Sequence, residues 1–290
     1  MVADLHCHTK LSDSSMGIDD LVALAQKRGL DAIAITDKDC LAGIIRAKMA
    51  GERKGISIIP GVEISCRDEN GTYCSILGYC CDSPDRLEGL CRRNLLAQKK
   101  AFLKSMSKLS ADYPITKELI LKVTTGSTAI YAPHIMHILM ECGYTDKIYG
   151  DLYNKLFSKE SETNVIEEPE YVNPVDVIEA IHNAGGIAIM SAPGRDGSFQ
   201  LLDKLLLSGL DGIEVWSPFN SKSQSEELLK IANANALLAT GGTCFMGMYT
   251  TTPLTVGDIV TDDAYMKAFL NYKTRQKKKK AAAERLNEAK

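Results

Sequence analysis

Several features that would fix the class of this protein are scarce or missing in its 290 residues. No apolar run reaches about 18 residues, and no charged stretch leads into an apolar one at the start, so we predict neither a membrane span nor a secretory leader. The net charge of −3 gives no global basic field that would favour nucleic acid. The nine cysteines show no CxxC spacing, which predicts a reduced, cytoplasmic protein rather than a disulfide framework.

What remains is ordinary for a soluble globular protein, with 45% hydrophobic and 24% charged residues. A chain of this length can bury a large core, either as one big domain or as one domain with an insertion.

Short apolar segments alternate with amphipathic ones along most of the chain. The pattern predicts strands over 2–7, 32–35, 56–65, 73–79, 186–190, 212–216 and 237–240, and helices over 18–28, 40–54, 174–183, 199–207 and 222–234. Repeated strand–helix units predict an α/β fold with parallel strands and helices outside. About seven units favour a closed or nearly closed barrel, whose chemistry lies at the carboxyl ends of the strands.

The alternation stops between about Pro84 and Val172, where the sequence is polar and helical in pattern. We therefore predict a barrel over 1–84 and 173–270, with a helical insertion over 85–172 that covers the barrel mouth. Residues 271–290 are predicted to form a basic, solvated tail, helical or disordered. A nucleic-acid patch at Lys277–Lys280 is the minority alternative, because no aromatic or glycine residues are interleaved there.

Two histidines stand out at the end of the first predicted strand. His6 and His8 lie two residues apart, so both side chains point to the same side of the strand. Two imidazoles on one face form half of a divalent-metal site.

Further polar residues follow other predicted strands. They are Asp13, the Thr36–Asp39 segment, Glu63, the Ser191–Arg195 segment and the Gly241–Gly247 loop. Their recurrence at one end of a predicted barrel is more specific than any single motif, although a lone Asp after a strand is more often a helix cap than a ligand.

These motifs resemble the polymerase and histidinol phosphatase family of metal-dependent phosphoesterases, in its stand-alone branch with a helical insertion. The resemblance covers nearly the whole chain and rests on DLHCHT, ITDKD (against TDHD), GVEIS, LGY, APHI, APGR (against AHPGR), DGIEV and GGTCFMG (against GGSDFHG). It implies a distorted seven-stranded (β/α) barrel that holds up to three divalent metals. His6, His8, Asp13 and Glu63 match ligand positions, His134 matches a site histidine, and Arg195 matches an arginine near the substrate phosphate.

The chain also departs from the family pattern. Ligand positions carry Lys38, Ser75, Ala192, Cys244 and Met246 instead of the family's histidines and aspartate. Sorted by metal, the resemblance leaves one complete set: His6, His8 and Glu63 with Cys244, whose thiolate can bind a borderline metal such as zinc. We expect one divalent metal (Zn, Mn or Fe) per chain, or none.

The lysine has two open interpretations. Lys38 either neutralises Asp13 as an ion pair, in place of a lost metal, or is a surface lysine tolerated in an inactive site. The first predicts a Lys38–Asp13 separation of roughly 4 Å or less.

Two functions are compatible with this pattern, and the sequence leaves catalytic competence open. The first is hydrolysis of a small phosphorylated metabolite or nucleotide, with Glu63, Asp13 and His134 as catalytic residues and Arg195, Lys38 and His134 binding substrate. The alternative is a catalytically degenerate protein that binds a phosphorylated ligand or partner.

Overall fold

The computed structural model describes residues 1–113, 115–158 and 160–288, with side chains described up to residue 278. Seven strands form one sheet in the order of the sequence. They are β1 (Ala3–Cys7), β2 (Ala32–Ile35), β3 (Ser57–Arg67), β4 (Tyr73–Tyr79), β5 (Ile187–Met190), β6 (Gly212–Trp216) and β7 (Leu238–Gly241). The segment after β7 returns to β1, where the His8 amide donates to the Phe245 carbonyl at 2.9 Å. The sheet is thus a nearly closed barrel, as the sequence predicted.

One strand corrects the expectation of a wholly parallel sheet. β4 is antiparallel to both β3 and β5, whereas the β1–β2–β3 and β5–β6–β7 pairs are parallel. The cause is the short turn between Arg67 and Tyr73, which permits only an antiparallel return. Gly71 supports this turn in the left-handed region, with φ of 84°.

The helices of the barrel are α1 (Ile18–Lys27), α2 (Ile44–Lys54), α7 (Pro174–Asn183), α8 (Leu202–Leu207) and α9 (Lys222–Ala234). They form because apolar residues recur at helical spacing. In α1 the buried residues are Ile18, Leu21, Val22 and Ala25. α2 begins four residues later than predicted, because residues 40–43 form a turn.

The last helix, α10 (Asp263–Glu288), closes one end of the barrel. Met266 and Phe269 are buried against apolar residues near the amino ends of the parallel strands. The candidate site residues lie at the opposite end of the barrel, at the carboxyl ends of the strands. The predicted boundary at 270 falls inside this one continuous helix, where Lys277 and Lys278 are exposed. The Lys279 and Lys280 side chains lie outside the described part of the chain.

Between β4 and α7 the described backbone contains helices and no strand. These helices are α3 (Glu88–Leu109), α4 (Lys117–Val123), α5 (Ala132–Glu141) and α6 (Asp151–Phe157). Their own apolar cluster includes Met136, Leu139 and Phe157, and it also takes in Met246 and Tyr249 from the segment after β7. The helical region therefore packs beside the carboxyl ends of the strands.

A buried asparagine fixes α3 to the barrel. The Asn94 amide donates to the Asp39 carboxylate at 2.7 Å and to the Ser65 carbonyl at 2.8 Å. Its side-chain oxygen accepts from the Val172 amide at 3.3 Å. None of the described helices combines the length and apolarity needed to cross a bilayer.

Candidate metal centre

The two histidines of β1 are each held by a carboxylate. Nδ1 of His6 lies 2.8 Å from Glu214 on β6, and Nδ1 of His8 lies 2.6 Å from Asp13. A carboxylate at Nδ1 keeps the proton there and leaves the Nε2 lone pair free, which is the arrangement around metal-binding histidines.

The free nitrogens face each other and a third donor. The two Nε2 atoms are 3.0 Å apart, and Oε2 of Glu63 lies 3.1 Å from that of His8 and 3.7 Å from that of His6. Oε2 is buried and accepts no hydrogen bond from the described residues. Facing lone pairs repel one another unless a cation or protons lie between them.

Cys244 completes the donor set from the loop after β7. Its sulfur and the nitrogens of His6 and His8 all lie within 4.8 Å of one another, and all three residues are buried. Gly242 lets the loop come this close, because a Cβ there would lie 2.5 Å from the backbone nitrogen of His6. Cys244 itself has φ of 47°, a strained conformation for a side chain of this kind.

The electrostatics of this group favour positive charge. Burial lowers the pKa of both histidines, but Glu214 and Cys244 raise that of His6 well above its ordinary value. Asp13 likewise raises the pKa of His8 to about 10. Although burial raises the pKa of a thiol, the charge of His6 brings the pKa of Cys244 below its ordinary value.

On its other side the glutamate is already satisfied. The Ser75 hydroxyl donates to Oε1 of Glu63 at 2.6 Å. Ala192, another replaced position, has no side-chain donor, and its amide donates to Glu214 at 2.9 Å. On this side Oε1 of Glu63 is therefore already occupied by a hydrogen-bond donor.

The ammonium of Lys38 fills a further position. Its Nζ lies 2.8 Å from Asp13 and 4.0 Å from Oε2 of Glu63, and its side chain is only 9% exposed. The predicted ion pair is confirmed. Burial disfavours the charged amine, but Asp13 and Glu63 outweigh it and raise the pKa of Lys38 above its ordinary value. Met246, the last replaced position, is buried in the apolar cluster of the insertion.

Arg195 follows β5 on a tight turn. A Cβ at Gly194 would lie 2.4 Å from the Phe219 carbonyl, so the turn requires glycine. The guanidinium stacks on the Phe219 ring at 4.6 Å, and its Nε lies 3.3 Å from Asp196. Its charge interacts with those of Cys244, Tyr73 and Glu63, and its side chain is 29% exposed.

His134 belongs to the helical insertion. It is buried at the start of α5, where its Nδ1 accepts from the Tyr131 amide at 3.3 Å, and it lines a cavity together with Ser14 and Ser15. Its ring interacts with the charge of Asp13, although it is not one of the convergent donors. The structure therefore brings together His6, His8, Asp13, Lys38, Glu63 and Cys244, and both Arg195 and His134 interact electrostatically with members of this group.

Sequence reasoning missed Glu214 as a site residue. The signal for it was available, because an acidic residue stands within the otherwise apolar strand Gly212–Trp216. A buried strand carries such a residue at a cost unless it has a partner, which here is His6.

A buried histidine–carboxylate–thiolate centre at the carboxyl ends of barrel strands defines a class of metal-binding (β/α) barrel proteins. Residues 4–202 match the model of the PHP domain, and the chain belongs to that family. The donor set fits the metal use that this family implies: Nε2 of His6, Nε2 of His8 and the Cys244 sulfur converge, Oε2 of Glu63 lies 3.1 Å from Nε2 of His8, and among the described residues that oxygen has no hydrogen-bond donor.

Relatives and solved structures agree with this assignment. The chain is 30% identical to a phosphoribosyl 1,2-cyclic phosphate 1,2-diphosphodiesterase of Eggerthella lenta, over 87% of this chain and 97% of that protein. It is 26% identical to a 3′,5′-nucleoside bisphosphate phosphatase of Chromobacterium violaceum, over 83% and 86% respectively. A structure described as a candidate metal-dependent phosphoesterase of Bifidobacterium adolescentis superposes with a TM-score of 0.82 and 30% identity, over 92% of this chain and 95% of that one.

Proposed function

We propose that this protein hydrolyses a phosphate ester of a small metabolite or nucleotide at a centre that holds one divalent metal. The observation that carries this proposal is the convergence of the His6, His8 and Cys244 donors, with Oε2 of Glu63 3.1 Å from Nε2 of His8 and the Lys38 ammonium 4.0 Å from that oxygen. Relatives that act on cyclic phosphates and nucleoside bisphosphates support the substrate class.

Different residues of the chain contribute different parts of this proposed reaction. A metal held by the four donors would polarise the phosphoryl group and acidify a bound water. Arg195 binds two phosphoryl oxygens through its planar guanidinium. Lys38 presents a fixed ammonium between Asp13 and Glu63, which stabilises negative charge that develops on the phosphoryl oxygens. Asp13 holds the His8 ring and this ammonium at once.

The thiolate donor decides which metal we expect. Sulfur favours zinc over manganese or magnesium, which prefer oxygen donors. Cobalt(II) is a spectroscopic substitute for zinc, and its sulfur charge-transfer absorption reports a cysteine ligand directly. We expect that band in the cobalt-loaded parent and its loss in Cys244→Asp, with the metal still bound. A cobalt protein without the band would remove Cys244 from the ligand set.

Hydrolysis itself is tested with nucleoside monophosphates and bisphosphates as substrates. We expect phosphate release that stops on chelation and returns with zinc. In Arg195→Ala we expect activity to fall about 100-fold or more, the size of a lost charge-assisted contact to the reacting group. Lys230→Ala, an exposed lysine on α9, is the control that should leave activity unchanged.

The alternative function is binding of a phosphorylated ligand without turnover. It is favoured by the Ser75 and Lys38 contacts, since both residues stand at positions where the family resemblance implies metal ligands. Metal-loaded protein that binds a nucleoside monophosphate in an Arg195-dependent manner, but releases no phosphate, would establish this alternative.

A further inference from the structure

Asp4 is a buried carboxylate on β1 that has no part in the proposed metal centre or in substrate binding. It lies two residues before His6 on the same strand, and none of it is exposed to solvent. A carboxylate without access to water is costly unless hydrogen bonds satisfy it, so its partners indicate what it supports.

All four groups that bond to Asp4 are hydrogen-bond donors. Oδ1 accepts from the His6 amide at 3.2 Å and from the Thr243 amide at 3.0 Å. Oδ2 accepts from the Thr243 hydroxyl at 2.5 Å and from the Gly257 amide at 3.0 Å. The two oxygens of a carboxylate fit this set, whereas an amide side chain would place an N–H group against one of these donors.

One oxygen of Asp4 connects two parts of the proposed centre. Oδ1 joins the backbone of His6 to that of Thr243, the residue directly before Cys244. It therefore determines how close the loop after β7 lies to β1, at the point where the Cys244 sulfur and the imidazole nitrogen of His6 converge.

The backbone at Cys244 needs this kind of support. Its φ of 47° lies in the left-handed region, which a residue with a side chain keeps only where the surrounding structure holds it. On the far side of Cys244, the Phe245 amide donates to the His6 carbonyl at 3.3 Å. The residue is thus held from both directions, by Asp4 through Thr243 and by β1 through Phe245.

The sulfur depends on this support more than the histidine nitrogens do. The His6 and His8 rings are each oriented by a carboxylate at Nδ1. A cysteine side chain has one rotatable bond between Cα and sulfur, so the path of the Cys244 backbone determines where its sulfur lies. Binding of a metal requires ligand atoms placed to within a few tenths of an ångström.

We propose that Asp4 is a positioning residue that places the Cys244 sulfur in the metal centre, acting through its two hydrogen bonds to Thr243. The inference rests on the proposed function, because it requires the sulfur to be a metal ligand. It adds a residue outside the ligand set on which the thiolate coordination depends.

The cobalt(II)–thiolate absorption band tests this role without relying on turnover. In Asp4→Asn we expect the band per bound cobalt to fall to about half or less, and zinc affinity to fall by about 10–100-fold. Asp37→Asn is the matched control, because Asp37 is also buried and also accepts from a threonine amide, from the hydroxyl of that threonine and from a further donor. Its partners, Thr9 and Ser12, lie outside the loop that carries Cys244, so the band should stay at the parental intensity.

A parental band in folded Asp4→Asn would overturn the proposal, and so would an equal loss in both variants, which would show a general effect of removing a buried carboxylate. If Asp4→Asn does not fold, Thr243→Val tests the same link, since it removes the hydroxyl that donates to Asp4 and nearly conserves volume. There we expect a weaker band and about tenfold lower zinc affinity, and parental values would overturn the proposal.

Failure of the proposed centre gives a different result from failure of this inference. A cobalt-loaded parent protein without the band would remove Cys244 from the ligand set and count against the proposed centre. A parental band that persists in Asp4→Asn would count against the role of Asp4 alone.

Discussion

The two sides of Glu63 differ in one respect that decides what the site can hold. Toward β1, Oε2 faces the lone-pair nitrogens of His6 and His8 and has no hydrogen-bond donor among the described residues. Toward β4, Oε1 accepts from Ser75 at 2.6 Å. Oε2 can therefore serve as a ligand to a bound cation, with the Lys38 ammonium 4.0 Å away, whereas Oε1 already has a hydrogen-bond donor.

The two carboxylate oxygens of Asp13 also have different partners. One oxygen bonds to the His8 ring and the other to the Lys38 ammonium at 2.8 Å. Although burial opposes ionisation, Lys38 and His8 hold the pKa of Asp13 well below its ordinary range. We propose from this comparison that the multi-metal layout of the family is reduced here to one metal position and one built-in cation, the Lys38 ammonium.

The largest expected loss of stability comes from removing the Lys38 ammonium. In Lys38→Met the buried Asp13 loses the ammonium on one of its two oxygens and keeps His8 on the other, which we expect to lower the free energy of unfolding by about 3 kcal/mol. Lys204→Met breaks an exposed pair with Glu69 and should cost less than about 1 kcal/mol. Urea unfolding of both variants measures the contrast, and equal small losses would show that Lys38 is dispensable.

A smaller effect, on metal affinity, should follow from removing the carboxylate that orients His6, one of the two histidines that face Oε2 of Glu63. In Glu214→Gln the His6 ring loses its carboxylate, so we expect zinc affinity to fall by about 10–100-fold. Competition with a fluorescent chelator gives the affinity. Asp211→Asn, which alters a carboxylate bonded to the surface His182, should leave it unchanged. A Glu214→Gln protein with parental affinity would contradict the role given to Glu214.

Removing the hydroxyl that donates to Oε1 of Glu63 should have a smaller effect again, on the free energy of unfolding. Ser75→Ala leaves Oε1 of Glu63 buried without a donor, and we expect a loss of about 1–2 kcal/mol in unfolding free energy. Ser208→Ala, which removes a half-buried hydroxyl bonded to a helix carbonyl, is the control. If Ser75→Ala instead gained a second bound zinc with no loss of stability, the serine would be a removable plug rather than a support.

The smallest effect concerns His134. Since the folded pKa of His134 is about 4, below the unfolded value of 6.5, the unfolded chain binds the proton more readily. This contribution to stability is complete above pH 6.5 and is lost as the pH falls toward 4. We expect about 1 kcal/mol of it to disappear over the first pH unit below 6.5, measured as the difference from His134→Phe. Parallel pH profiles for the two proteins would contradict this.

The sequence predicted the barrel from its local periodicity, and it predicted the meeting of His6, His8 and Glu63 from the family resemblance together with the rule that strand ends share one face. It also predicted the Lys38–Asp13 pair. It did not predict the antiparallel β4, which depends on the turn after Arg67, or the Glu214 contact with His6 across 208 residues. The position of His134 depends on how the insertion packs, which no local pattern encodes, so its expected role at the substrate phosphate stays a prediction.

Elemental analysis of the zinc-loaded protein after removal of free metal tests the central claim most directly. We predict one zinc per chain in the parent protein and none in His8→Ala, with Lys38 and Ser75 left unchanged in both. Two or three zinc ions per chain would contradict the account in which a metal can bind at Oε2 of Glu63 but not at Oε1, which accepts from Ser75. A parent protein that retains no zinc would contradict the metal centre itself.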